Sequence, residues 1–276
     1  MSDVIQLMVP PFVAVLVILS VHAYLGLHVI ARGVIFVDLA FAQVAALGTT
    51  VGLLVGVEHG TPLSLVFALG FTLMGAVIFS FSRMEHSIVP QEAIIGITYV
   101  VASAAVILLA GFTAEGAEHI RETLTGTLIW VGWPEIVRMA VVYAGLGAFY
   151  YIFRGPLIGA SFGGKTVEGG RRWDFLFYLS FGVAISLSVS VAGVLLVFSL
   201  LVIPAVIAFL FTNRFVPALL VAWVVGAVAL VLGLVVSFTL DIATGPLLVV
   251  AYGVILVVAF VVRAVLKGDA GEAVKL

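Results

Sequence analysis

Apolar runs about as long as a bilayer's hydrocarbon core is thick recur along almost the whole chain, and nothing else constrains its fold as strongly. About 20 helical residues cross that core. Uninterrupted runs of that order fall at 8–31, 34–56, 63–82, 92–112, 136–153, 216–237 and 244–266. The stretch 175–212 is too long for one simple crossing; a split near Ser188–Val191 makes two shorter helices and about nine spans in all. The runs do not alternate residue by residue, which predicts helices and not the strands of an outer-membrane barrel. Only 9% of the residues are charged and the mean hydropathy is +1.35, whereas a water-facing surface needs roughly a quarter charged residues. The expected fold is all-α, a polytopic membrane helix bundle.

The absence of cysteine excludes disulfides, thiolate metal sites and a cysteine nucleophile. The first residues, MSDVIQLMVPP, lack the basic stretch that opens a cleavable signal peptide. The first apolar run is therefore expected to stay as a span, with the mature chain beginning at Met1. The breaks between runs are short, so 1–276 is expected to form one transmembrane domain.

With nine spans, Arg32, Arg83, Arg154, Lys165, Arg171, Arg172, Arg214, Arg263, Lys267 and Lys275 share one side; Arg121 and Arg138 keep the other. Such a bias marks the richer side as cytoplasmic. It predicts the N-terminus outside, the C-terminus inside and 266–276 as a cytoplasmic tail. The opposite side carries Glu58, Glu115, Glu118, Glu122, Glu135 and Asp241, and an acidic face concentrates cations. The longest cytoplasmic connection, 155–174, reads GPLIGASFGGKTVEGGRRWD and carries Lys165, Arg171 and Arg172. Either it is a flexible linker or it docks a cytoplasmic partner.

Few polar residues interrupt the spans. Asp38 lies about one turn inside the second span and Gln43 deeper. An intramembrane carboxylate is costly and reads first as functional, although it can also snorkel to the interface. Gln43 is either pathway lining or interhelical glue. Five positions set the two about 140° apart on a regular helix, so they share no face. Glu115, Glu118, His119 and Glu122 fall on one stripe if their loop is helical. That stripe suits a divalent cation, a docking protein or plain solvent. His22 and His28 read as hydrogen-bonded core residues, and Glu92 as a carboxylate favouring a helix N-terminus. Trp130 and Trp133 suit the headgroup level. Pro204 stands inside an apolar run that ends at Arg214, although proline withholds a backbone donor where no water can replace it. No phosphate-cradling glycine loop, HExxH or serine–base pair is present, so nothing points to an enzyme.

Several stretches in order resemble the permease subunit of metal-type ABC importers, the zinc, manganese and iron uptake family. They are GVLLVFSLLVIPAVIAFLFTNRF at 193–215, ARGVIFVDLAFAQVAALGTTVG at 31–52, QEAIIGITYVVASAAVILLAG from Gln91, LTGTLIWVGWPEI from Leu124 and GPLLVVAYGVIL from Gly245. The resemblance implies a class II ABC importer-like bundle in the cell (inner) membrane. It also implies a homodimer surrounded by lipid, two cytoplasmic ABC ATPase subunits below, an extracytoplasmic substrate-binding protein above, and no nucleic acid. No cofactor would be bound permanently, ATP being used by the partner subunits. Asp38 would contact the metal, with Gln43 and Pro204 beside the pathway. The 155–174 segment would stand where the family has its coupling helix, with Lys165, Arg171 and Arg172 facing the ATPase. The family's second span carries Asp and His four apart; here Asp38 persists, and aligning the downstream glycines puts Gln43 in the histidine's place. A stand-alone secondary transporter or channel for cations is the alternative. It would favour an inverted internal repeat, which the sequence does not display.

Overall fold

The computed structural model describes residues 2–58, 60–82, 88–112, 116–163 and 170–272. Ten α-helices follow one another: α1 (Ser2–Arg32), α2 (Val37–Leu54), α3 (Pro62–Ser82), α4 (Gln91–Ala110), α5 (Gly116–Thr125), α6 (Trp133–Ile152), α7 (Arg154–Phe162), α8 (Gly170–Phe211), α9 (Phe215–Leu240) and α10 (Thr244–Glu272). A short 3-10 turn, Leu128–Trp130, links α5 to α6, and no strand occurs among the described residues. Eight of these helices are long and apolar enough to cross a membrane; only α5 and α7 are not. The last of them runs on to Glu272, so most of the expected tail continues α10.

At 42 residues α8 is about twice a bilayer's thickness, and its course decides the architecture. Gly193 breaks it, with φ 74° and ψ 160°. The two arms double back. The Phe177 ring lies 5.8 Å from His28 of α1, and the Phe209 ring of the second arm lies 6.2 Å from Phe162, which is itself 5.6 Å from His28. A straight helix would separate Phe177 and Phe209 by roughly 48 Å. The bend sits slightly beyond the Ser188–Val191 split expected from the sequence, because the backbone at Gly193 is open in practice only to glycine. Gly126 (φ 72°) packs backbone to backbone against it, and the Thr127 amide donates to the Val191 carbonyl at 3.1 Å. Neither glycine has room for a Cβ.

The centre of the bundle is α1 against both arms of α8, with α2 and α3 on one flank and α9 and α10 on the other. Lipid tails are as apolar as leucine, so association depends on close packing and not on hydrophobic burial. Gly26 of α1 allows such an approach, lying directly against the carbonyl of Leu201 in the second arm. That contact is one turn from Pro204, whose missing N–H leaves the Leu200 carbonyl without its regular helical donor. The proline is therefore part of the tight α1–α8 crossing, and helix continues through it to Phe211.

The basic residues gather at one end. Arg32 meets Asp174 there, Arg171 and Arg172 open α8 beside it, and Arg214 precedes Phe215, whose ring lies 5.5 Å from His28. Arg138 belongs to the other end, with Glu122 and Trp130. The expected glycine-rich 155–174 loop is corrected. Residues 154–162 form α7 and residues 170–174 begin α8. Proline at the third position of α7 falls in the first turn, where its missing donor costs nothing, and Gly163 follows the last turn. Lys165 lies outside the described residues.

Candidate translocation pathway

A cavity of about 430 Å³ opens at the end of the bundle away from Arg32, between α2, α3, α6 and the first arm of α8. Glu122, Trp130, Glu135 and Arg138 line it together with the hydroxyl residues Thr49, Ser64, Ser186 and Ser190. Trp130 is 82% exposed, as expected of a headgroup-level ring. The α2 wall is made by Ala42, Ala45, Ala46 and Thr49.

Asp38 continues this wall. On a regular helix, positions 38, 42, 45 and 49 fall within about 60° of arc, and α2 is helical throughout from Val37 to Leu54. Asp38 therefore sits one turn below Ala42, beyond the cavity floor. It is 1% exposed, and neither carboxyl oxygen has a hydrogen-bond partner among the described residues. A carboxylate sealed into a helical bundle with both oxygens unmatched is expensive. The surface-anchor reading fails here, because an anchor keeps its head in water.

Gln43 is also buried, at 7% exposure, but on another face of α2. It lines no part of the cavity, and neither does Pro204. The residue four positions after Asp38, on the cavity stripe, is Ala42. None of the three pathway candidates lines the cavity itself: Asp38 lies on the same stripe of α2 as the lining alanines, Gln43 on another face of that helix and Pro204 in the α1–α8 crossing.

The loop carrying the acidic stripe is helical, as α5. Glu118 pairs with Arg121 at 3.3 Å in an exposed i,i+3 contact, whereas Glu122 turns to the cavity. Glu115 and the side chain of His119 lie outside the described residues. No group of three metal-ligating side chains occurs among those described. Glu135 is largely committed to its own helix, accepting from the Gly132 amide at 3.1 Å.

Both histidines of α1 are core residues, as their sequence setting predicts. His22 places Nδ1 at 2.9 Å from the Ile18 carbonyl and Nε2 at 3.1 Å from Ser188 Oγ, so both ring nitrogens are occupied. His28 contacts Ser161 Oγ through Nδ1 at 2.7 Å. Three residues have parts that the sequence does not reveal. Glu92, expected to favour its own helix, also accepts the Phe36 amide at 3.0 Å and so caps the start of α2 from α4. Arg32 and Asp174 form a buried ion pair at 2.6 Å. An acid at the end of a basic cytoplasmic segment is the one available signal for it.

The sequence matches the ABC 3 transport family over residues 4–263. The chain belongs to that family. As a member it is a multi-pass membrane permease, the transport component of an ABC system. The manganese import system permease protein ScaB of Streptococcus parasanguinis is 25% identical over 229 residues, covering 81% of this chain and 79% of its own. The manganese transport system membrane protein MntC of Listeria monocytogenes is 25% identical over 237 residues, covering 83% and 81%. The chelated iron transport system membrane protein YfeD of Yersinia pestis is 44% identical over 63 residues, 23% of this chain and 21% of its own. Among solved structures, PsaBC from Streptococcus pneumoniae in complex with Fab superposes with a TM-score of 0.76 at 22% identity, covering 94% of this chain and 93% of that one. A putative metal-chelate type ABC transporter in an inward-facing conformation reaches 0.64 at 20% identity, covering 91% and 85%. Both share the helical fold of this chain.

Proposed function

We propose that this permease carries a divalent metal cation inwards across the cell membrane, driven by two cytoplasmic ATPase subunits and supplied by an extracytoplasmic binding protein. Two copies pair around the pathway. The observation that carries this reading is Asp38: a buried carboxylate with neither oxygen hydrogen-bonded among the described residues, in line with the cavity wall. The manganese and iron systems named for its relatives supply the cargo class.

The chemistry rests on the donor set. A divalent cation leaving water needs oxygen ligands or charge to offset lost hydration. Glu122 at the mouth attracts it, hydroxyls of Thr49, Ser186 and Ser190 line the cavity, and Asp38, buried one turn beyond Ala42, offers two carboxyl oxygens that can ionise against the cation. Carboxylate and hydroxyl oxygens suit hard ions such as manganese(II). The end bearing Arg32, Arg171 and Arg172 faces the cytoplasm, where α7 and the first turn of α8 meet the ATPase.

Transport of manganese(II) into proteoliposomes holding the whole complex tests the reading. Asp38→Asn keeps the shape and removes the charge, so uptake should fall by at least about tenfold, equivalent to ~1.4 kcal/mol. Assembly, followed by co-purification of the ATPase, should persist. Normal uptake by Asp38→Asn would sink the proposal.

A further inference from the structure

Arg32 ends α1 at the point where three elements meet. Its Nη1 donates to Asp174 Oδ1 of α8 at 2.6 Å, and its Nε donates to Ser161 Oγ of α7 at 2.8 Å. The guanidinium lies over the Phe177 ring, 4.0 Å from its centroid. The side chains of Arg32 and Asp174 are only 2% and 8% exposed. An arginine that merely obeys membrane topology keeps its head in water; this one does not. Nor is stability a sufficient reason, since a buried ion pair is often no better than well-packed apolar residues of the same volume.

The backbone immediately after Arg32 suggests its use. Gly33 has φ +67° and open space around its Cα, a backbone joint. Three residues later the Phe36 amide is held by Glu92 of α4, and Asp38 comes two residues after that. The connection between α1 and α2 is thus fixed at Arg32 to α7 and α8, fixed at Phe36 to α4, and jointed between.

We infer that Arg32 is a positioning residue that transmits movement of α7, through Ser161 and the Gly33–Phe36 turn, to the carboxylate of Asp38. The inference rests on the proposed function, in which α7 meets the ATPase and Asp38 meets the cation. The planar, rigid guanidinium suits the task, because it holds Asp174 and Ser161 at once in fixed directions. A lysine would offer its donors from a single point, without those fixed directions.

Replacing Arg32 would remove the cation from beside the buried Asp174 carboxylate and endanger folding, so the test acts on Ser161. Ser161→Ala removes the hydroxyl that joins α7 to Arg32 and to His28 of the same helix, and leaves the ion pair; Ser161→Thr keeps a hydroxyl. Manganese(II) uptake and ATP hydrolysis are measured together in proteoliposomes holding the whole complex. In Ser161→Ala, ions carried per ATP should fall at least about fivefold, the lower end of a coupling between two sites, while hydrolysis continues. Ser161→Thr should restore the ratio. An unchanged ratio in Ser161→Ala overturns the inference. So does a parallel loss of hydrolysis and uptake in both variants, which indicates a structural role. The wild-type complex separates the two readings: if it shows no ATP-driven uptake, the proposed function fails first.

Discussion

At positions 38, 42 and 43 the side-chain identities and the helix period together decide what a cation can meet. Asp38 and Ala42 share the cavity stripe of α2, and Gln43 is turned away from Asp38 by about 140°. Alignment on the downstream glycines puts Gln43 in the place of the family's histidine, whereas the residue four positions after Asp38, on its own stripe of α2, is Ala42. Imidazole is a better ligand than amide for zinc. Ala42→His should therefore shift competition between zinc(II) and manganese(II) towards zinc by about tenfold, ~1.4 kcal/mol. Gln43→His should leave the preference unchanged. Uptake of each metal in the presence of the other measures this, and an equal shift in both variants would refute the stripe.

At the scale of elements, the two-armed α8 depends on Gly193. An alanine there meets the backbone of Thr125 and Gly126 and must adopt a region that L-residues avoid, at about 1–3 kcal/mol for the conformation alone. Gly193→Ala should lower the thermal midpoint of the detergent-solubilised protein and reduce transport. Gly145→Ala, which meets open space in α6, should do neither. Equal midpoints for the two variants would show that the bend tolerates a side chain. α7 carries a different lesson. Its glycines make 155–174 read as a loop, yet GPLIGASF needs only a proline in its first turn and packing against α1 and α8 to be helical. Packing outweighs propensity.

Across the whole molecule, eight of the ten described α-helices are long and apolar enough to cross a membrane. Purified alone, the chain should neither bind nor hydrolyse ATP, because it offers no glycine-rich loop to cradle phosphates. Nucleotide binding by fluorescence and phosphate release both check this; hydrolysis by the isolated chain would contradict its part as the transport component. Membership of the ABC 3 family also favours this division of labour over the stand-alone carrier or channel.

The membrane setting, the long apolar helices and the gathering of arginines at one end were legible in the sequence. They depend on transfer of whole segments between water and hydrocarbon, and that quantity adds up residue by residue along the chain. Helix existence is legible for the same reason, since backbone groups in lipid have no partner except within their own helix. The choice among polar residues was not legible. Asp38 and Gln43 look alike as polar breaks in an apolar run, and only the neighbours of α2 decide which stripe of that helix faces the cavity. Arg32 looks like another member of a basic cluster until Asp174, 142 positions away, closes on it. Pro204 looks like a pathway irregularity until Gly26 comes against Leu201. These are pairwise distances between remote segments, set by how helices cross, and a periodicity read along one segment carries no record of them.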